Sequence, residues 1–168
     1  TRLQGDWSSD VCSSDLINVG IDIDSSMSAL KLHQDNPFIL PTIGIHPCSS
    51  EDMDRLDELK ALAEKHPFLA IGEMGLDYFK MYAEKSVQKK LFISQLKIAE
   101  SLKKPVIIHN RHADEDIIEI TSEFPNVKKV FHCFGSPPEI AEKLSSPQHY
   151  FSFTGNITYS KRGKPIES

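Results

Sequence analysis

Glu73, His109 and His132 each follow directly on a short apolar run of the chain. The stretches between them are long enough for a helix and two turns. If the three runs are neighbouring parallel strands, their carboxyl ends meet at one rim of the sheet. One carboxylate and two imidazoles at a shared rim form a pocket that suits a divalent cation. The spacing therefore predicts a metal site built from these three side chains.

Segments typical of strands and helices alternate from residue 16 onward. The apolar patterning predicts strands within 16–19, 38–45, 68–72, 106–108, 130–131 and 150–153. Helices are predicted from Ser25 to about residue 33, from a cap at Ser50 through residue 63, and within 87–102, 113–124 and 137–144. Apolar strands between amphipathic helices indicate parallel pairing with the helices outside.

An open doubly wound sheet and a (β/α)₈ barrel both fit this alternation. Metal-ligand side chains at the ends of successive strands favour the barrel, which needs eight strands and about 250 residues. We therefore expect an α/β fold, a partial TIM-type (β/α)₈ barrel of about six βα units whose first and eighth strands are missing.

Composition places the 168-residue chain among ordinary globular proteins, with 39% hydrophobic and 26% charged residues. No apolar stretch is as long as a membrane span and no export signal is evident, so we expect a cytoplasmic location. The three cysteines lack paired spacing, which argues against a disulfide framework. The net charge of −5 argues against a DNA-coating role. It does not exclude a nucleic-acid substrate, because two divalent cations would add four positive charges locally.

The first fifteen residues read differently from the rest of the chain. They contain a near-repeat, Trp-Ser-Ser-Asp followed by Cys-Ser-Ser-Asp, without helical or strand periodicity. This wording resembles translated sequencing-adapter text, and the alternative is a disordered natural tail. We therefore expect residues 1–15 to be a non-native or disordered leader and residues 16–168 to be an incomplete metal-dependent hydrolase barrel.

Four blocks of sequence carry a family resemblance. They are Gly-Ile-His-Pro at 44–47, Ile-Gly-Glu-Met-Gly-Leu-Asp-Tyr at 71–78, Pro-Val-Ile-Ile-His-Asn-Arg-His-Ala at 105–113 and His-Cys-Phe-Gly at 132–135. In this order they resemble the TatD family of metal-dependent deoxyribonucleases. Residues 150–157 are similar to that family's seventh-strand segment, so the resemblance runs from about residue 16 to residue 168.

The resemblance implies a barrel that holds two divalent ions, of Mg²⁺, Mn²⁺ or Zn²⁺, and acts on DNA. Glu73 matches the bridging carboxylate, and His109 and His132 match the paired histidines that complete one ion's ligands. The second ion uses a first-strand His-x-His and an eighth-strand Asp, and neither motif occurs in this sequence. We therefore expect at most one well-formed metal site and little or no DNA cleavage by this chain alone. No membrane or obligate protein partner is expected.

Three further side chains are candidates for supporting roles at the same rim. His46 belongs to a family motif without being a direct ligand, so we expect it to contact substrate or water. Arg111 could bind a substrate phosphate, or form an ion pair with Asp77 or Asp114. Asp77 could orient an active-site group or cap a turn. The aromatic residues that follow could stack on a base or close the top of the barrel; they are Tyr78, Phe79 and Tyr82.

Two other function classes stay open. An amidohydrolase-like enzyme could hydrolyse small esters, lactones or amides with the same barrel and ions. A lysine at the bridging position would indicate its carbamylated-lysine members, and Glu73 stands there instead. A non-enzymatic binding module is the third class, which the unpaired edges of a partial barrel disfavour.

Overall fold

Six parallel strands form one sheet in the computed structural model, which describes residues 16–155. The strands are β1 (Leu16–Asn18), β2 (Ile39–Ile43), β3 (Ala70–Asp77), β4 (Val106–Arg111), β5 (Lys129–Phe131) and β6 (His149–Phe151). Each strand pairs in parallel with the next one in the chain. A doubly wound sheet would reverse this order at a switch point. The sheet is a half-barrel, which confirms the prediction of a partial TIM-type barrel with six strands.

Helices connect the strands and cover the outer face of the sheet. They are α1 (Ile23–Asp35), a 3₁₀ helix (Pro47–Arg55), α2 (Leu56–Lys65), α3 (Lys85–Leu102), α4 (Asp114–Ser122) and α5 (Pro138–Lys143). The longest, α3, packs its buried residues Leu91, Phe92, Leu96 and Ala99 into the core. None of the helices within 16–155 combines the length and the apolar character needed to cross a bilayer.

Two predicted helix starts are wrong. Asp22, not Ser25, caps α1, because the Asp22 side chain accepts a hydrogen bond from the backbone N–H of Ser25. Ser25 stands three residues later and completes a capping box by accepting from the N–H of Asp22. Ser50 does not start an α-helix, since it lies inside the 3₁₀ helix that begins at Pro47.

The predicted ends of two strands also need correction. Strand β2 is shorter than 38–45, and its chain leaves the sheet after Ile43. Strand β3 continues beyond Glu73 to Asp77, because the pairing with β4 resumes after a register shift between Ile71 and Met74. Residues 1–15 and 156–168 lie outside the described residues. The leader prediction, which concerns residues 1–15, therefore stays a prediction.

Candidate metal centre

Glu73 owes its position to two glycines in β3. Gly72 and Gly75 have φ values of +145° and +141°, a backbone conformation that residues with a side chain rarely adopt. A Cβ on Gly75 would collide with the carbonyl of His109. The register shift before Met74 frees the backbone N–H of Glu73, which donates to the carbonyl of Gly20. The strand thus bulges where the carboxylate must turn toward its neighbours.

His109 projects from β4 between two carboxylates. Its Nδ1 lies 3.5 Å from Glu73 Oε1, and its Nε2 lies 3.2 Å from Asp77 Oδ2. The His46 ring meets the His109 ring edge-on, with centroids 4.4 Å apart. One potential ligand atom from each of His46, Glu73 and His109 lies within 4.8 Å of the other two. The geometry thus gathers two imidazoles and one carboxylate at the rim.

Asp77 determines which nitrogen of His109 carries the proton. Burial alone would raise the pKa of Asp77, but the backbone N–H of Lys80 and the neighbouring His109 outweigh it and lower this pKa. The Asp77 carboxylate is therefore ionised at neutral pH and can accept but not donate. Its Oδ1 accepts from the N–H groups of Phe79 and Lys80, and its Oδ2 faces His109. In the neutral ring of His109, Nε2 is then the donor and the lone pair lies on Nδ1, where a bound cation would take it up.

Glu73 and His109 direct two potential ligand atoms, Oε1 and Nδ1, toward each other. Glu73 Oε1 is buried and has no hydrogen-bond partner among the described residues. Burial favours a raised pKa for Glu73, but the nearby His109 outweighs it and the net shift is downward. This ionised oxygen faces Nδ1 of His109 at 3.5 Å, and a positive charge between the two atoms, either a proton on Nδ1 or a bound cation, would satisfy both. The carboxylate and the imidazole therefore fit a divalent cation.

His46 is better suited to donate a hydrogen bond than to bind a cation. Burial, assisted by the charge of His109, lowers the pKa of His46 to about 4, so the ring is neutral at pH 7. Its Nδ1 accepts from the N–H of Cys48 at 3.1 Å, which leaves the proton on Nε2. This arrangement agrees with the expectation that His46 contacts substrate or water, which stays a prediction.

His132 and Arg111 line the same cavity as His109, which has a volume of about 710 Å³. His132 is exposed just beyond β5, and its Nδ1 lies 3.4 Å from Ser152 Oγ. It is not one of the three clustered ligands, so its role as a ligand stays a prediction. Arg111 has no acidic side chain within ion-pair distance among residues 16–155, although its charge contributes to the lowered pKa of Asp77. It lies over the ring of Phe79.

Two buried glutamines of α3 hold the backbone at the end of β3 and just beyond the end of β2. Gln88 accepts from the N–H of Asp77 and donates to its carbonyl, and Gln95 does the same for Ile45. Both side chains are fully buried and lie seven residues apart on one helix face. Our sequence reasoning missed them. The available signal was a pair of amides on the apolar face of an amphipathic helix.

Comparison with known proteins decides the family. The family model described as TatD related DNase matches residues 11–168. The chain belongs to this family. The metal-dependent hydrolase YabD of Bacillus subtilis, itself uncharacterized, is 35% identical over 156 residues, covering 90% of this chain and 61% of that protein. A 3′-5′ ssDNA/RNA exonuclease named TatD from Escherichia fergusonii is 31% identical over 154 residues, covering 88% of this chain and 58% of that protein.

A solved structure confirms the fold of this TatD-family chain. The TatD homologue YJJV from Escherichia coli K12 superposes with a TM-score of 0.78 at 24% identity, over 87% of this chain and 58% of that one. The chain thus spans 58–61% of the length of these three proteins. The half-barrel within residues 16–155 corresponds to the matching part of a TatD fold.

Proposed function

We propose that this chain carries the central part of a divalent-metal site that hydrolyses phosphodiester bonds of DNA. The observation that carries the proposal is the close approach of two potential ligand atoms, Glu73 Oε1 and His109 Nδ1, which lie 3.5 Å apart in a cluster with His46. Glu73 and His109 would hold a cation, with His132 as the predicted third ligand. When bound, a divalent cation supplies Lewis-acid polarisation of the ester and of an attacking water.

The residues of the chain have separate tasks around that cation. Glu73 remains ionised and supplies negative charge to the site. Asp77 holds the His109 ring in one orientation and one tautomer through its contact with Nε2, as carboxylates behind metal-bound histidines do. His46 offers its Nε2–H to an anionic oxygen, because its other nitrogen already accepts from Cys48. The neutral His46 ring does this without adding charge that would repel a cation.

A phosphodiester substrate is favoured over a neutral ester by two considerations. Arg111 lines the cavity of His109 and has no ion-pair partner within residues 16–155, and its guanidinium is suited to a phosphate. The relative from Escherichia fergusonii carries the name of a nuclease. Number and identity of the cations, DNA as the substrate, and a cytoplasmic location remain part of this proposal.

The test presents single-stranded DNA, an aryl ester and a lactone to the protein with Mg²⁺, Mn²⁺ or Zn²⁺. We expect little or no metal-dependent loss of DNA with this chain alone. Any residual cleavage should be abolished in Glu73→Gln and retained in the control Glu64→Gln, which alters an exposed carboxylate of α2. Hydrolysis of the ester or lactone with intact DNA would instead support the amidohydrolase-like alternative. Near-normal cleavage by this chain alone would contradict the expected need for the absent ligand motifs.

Cation uptake is measured separately from cleavage. Alanine at Glu73, His109 and His132 together should abolish uptake of Mn²⁺ or Zn²⁺ in calorimetry. Unchanged uptake in this triple variant would refute the metal assignment, whatever the substrate proves to be.

A further inference from the structure

Arg111 ends β4 with its side chain held by an aromatic ring instead of an acid. Its Cζ lies 4.0 Å from the ring centroid of Phe79, and Phe79 in turn contacts the ring of His112 edge-on at 5.2 Å. No side-chain N–H of Arg111 donates to a residue within 16–155. Stacking therefore holds the guanidinium in place and leaves its hydrogen-bonding edge available to a ligand.

Strand register places Arg111 beside the metal centre. His109 and Arg111 pair with Gly75 and Asp77 in an unbroken stretch of the β3–β4 ladder. Two residues apart on one strand, they project from the same face, separated by about 6.6 Å along the strand. This separation is comparable to that of neighbouring phosphates on an extended nucleic-acid strand.

The cavity shared by His109 and Arg111 contains one other formal charge, on Asp114. Oδ1 of Asp114 accepts hydrogen bonds from Asn110 and from Ser136, both at 2.6 Å. This carboxylate is thus engaged in joining the β4–α4 and β5–α5 connections. Among the described residues, Arg111 is the one permanently charged cation that lines this cavity. It lies two residues along β4 from His109.

We propose that Arg111 binds the phosphate adjacent to the scissile phosphodiester, and that Phe79 positions its guanidinium for this contact. The inference rests on the proposed function and deepens it. It assigns the site a substrate class with at least two consecutive phosphates, such as a single-stranded oligonucleotide, and disfavours neutral esters. Phe79 is a positioning residue in this arrangement.

The test measures binding of a fluorescein-labelled oligothymidylate by anisotropy in EDTA, where no hydrolysis occurs. Affinity is followed against salt, because each phosphate contact on a single strand contributes about 0.7 to the slope of log K against log salt. Arg111→Gln should lower the slope by about 0.7 and weaken binding roughly five- to tenfold at low salt. Lys97→Gln removes one charge from the exposed surface of α3 and should leave the slope unchanged.

A second set of variants tests the positioning role. Arg111→Lys keeps the charge and should preserve the salt slope while weakening binding, because the planar fork is lost. Phe79→Leu should weaken binding a few-fold alone. It should have no further effect in the background of Arg111→Gln, because its contribution acts through the guanidinium. Thermal melts of each variant verify that the exposed substitutions leave the fold intact.

An unchanged slope in Arg111→Gln, or no binding by the unaltered chain at the lowest salt, would overturn the inference. Additive effects of Phe79→Leu and Arg111→Gln would overturn the positioning role and indicate direct base stacking on the ring. If the protein cleaves DNA but the salt slope is the same in Arg111→Gln, this inference is refuted and the proposed function is not. Turnover of esters in place of DNA refutes the proposed function.

Discussion

Replacing Asp77 with asparagine should weaken divalent-cation binding about 10- to 100-fold, the usual cost of losing the carboxylate behind a metal-bound histidine. The reason lies in two hydrogen bonds that the Asp77 carboxylate accepts at Oδ1, the oxygen that does not face His109. The N–H groups of Phe79 and Lys80 donate to Asp77 Oδ1 at 3.1 and 2.8 Å. In the asparagine variant, these two N–H groups keep their hydrogen bonds by donating to the amide oxygen.

The amide NH₂ of the variant must then face His109. Nε2 of His109 becomes an acceptor, its proton moves to Nδ1, and the nitrogen that faces Glu73 becomes a donor. The His109 lone pair needed by a cation is thereby removed, and Glu73 Oε1 gains the partner that it lacks. Because the turn keeps both backbone hydrogen bonds, the free energy of unfolding should change little.

A 10- to 100-fold loss corresponds to about 1.4–2.7 kcal/mol of binding free energy. Calorimetric titration with Mn²⁺ measures the loss, and nitrogen NMR shifts of His109 report the tautomer. Asp52→Asn is the matched control, since Asp52 accepts a backbone N–H from Ile23 away from the site. An unchanged Mn²⁺ affinity in Asp77→Asn, or a proton still on Nε2 of His109, would refute the reasoning.

Two further predictions concern stability. Gly75→Ala should lower the free energy of unfolding by about 2–5 kcal/mol, because its positive φ and a neighbouring carbonyl exclude a Cβ. Gly135→Ala, with its nearest contact at 3.8 Å, should change it by less than about 1 kcal/mol in the same urea titration. Burial lowers the pKa of Lys129 to about 8 from 10.5, so above pH 8 the unfolded chain binds more protons and stability rises with pH until 10.5. The rise, at most about 3 kcal/mol, should be absent in Lys129→Met, and parallel pH profiles of the two proteins would contradict it.

The six strands and the rim at which their functional side chains emerge could be predicted from the sequence. Apolar runs and amphipathic spacing are local properties, and parallel strands present their carboxyl ends on one side. Ends of elements were less predictable. Capping of α1 by Asp22 depends on one side-chain hydrogen bond, and the extension of β3 past Glu73 depends on pairing with β4.

The glutamine clamps show why part of the site was missed. Gln88 and Gln95 satisfy backbone groups of Asp77 and Ile45, which lie 11 and 50 residues away along the chain. A buried amide is visible in sequence as an interruption of an apolar helix face. Its partner is not visible, because the pairing exists only after α3 packs on the sheet.

By itself, the sequence determined the strand order and the family, and it predicted Glu73 and His109 as ligands, because motif blocks and apolar runs can be recognised along the chain. Tertiary structure alone decided that His46 joins them and that His109 directs Nδ1 toward Glu73. The first outcome follows from the fold, which places the His46 and His109 rings 4.4 Å apart, and the second from Asp77, which the β3–β4 pairing places 3.2 Å from Nε2 of His109. The orientation of a ring depends on such contacts and not on the spacing of residues.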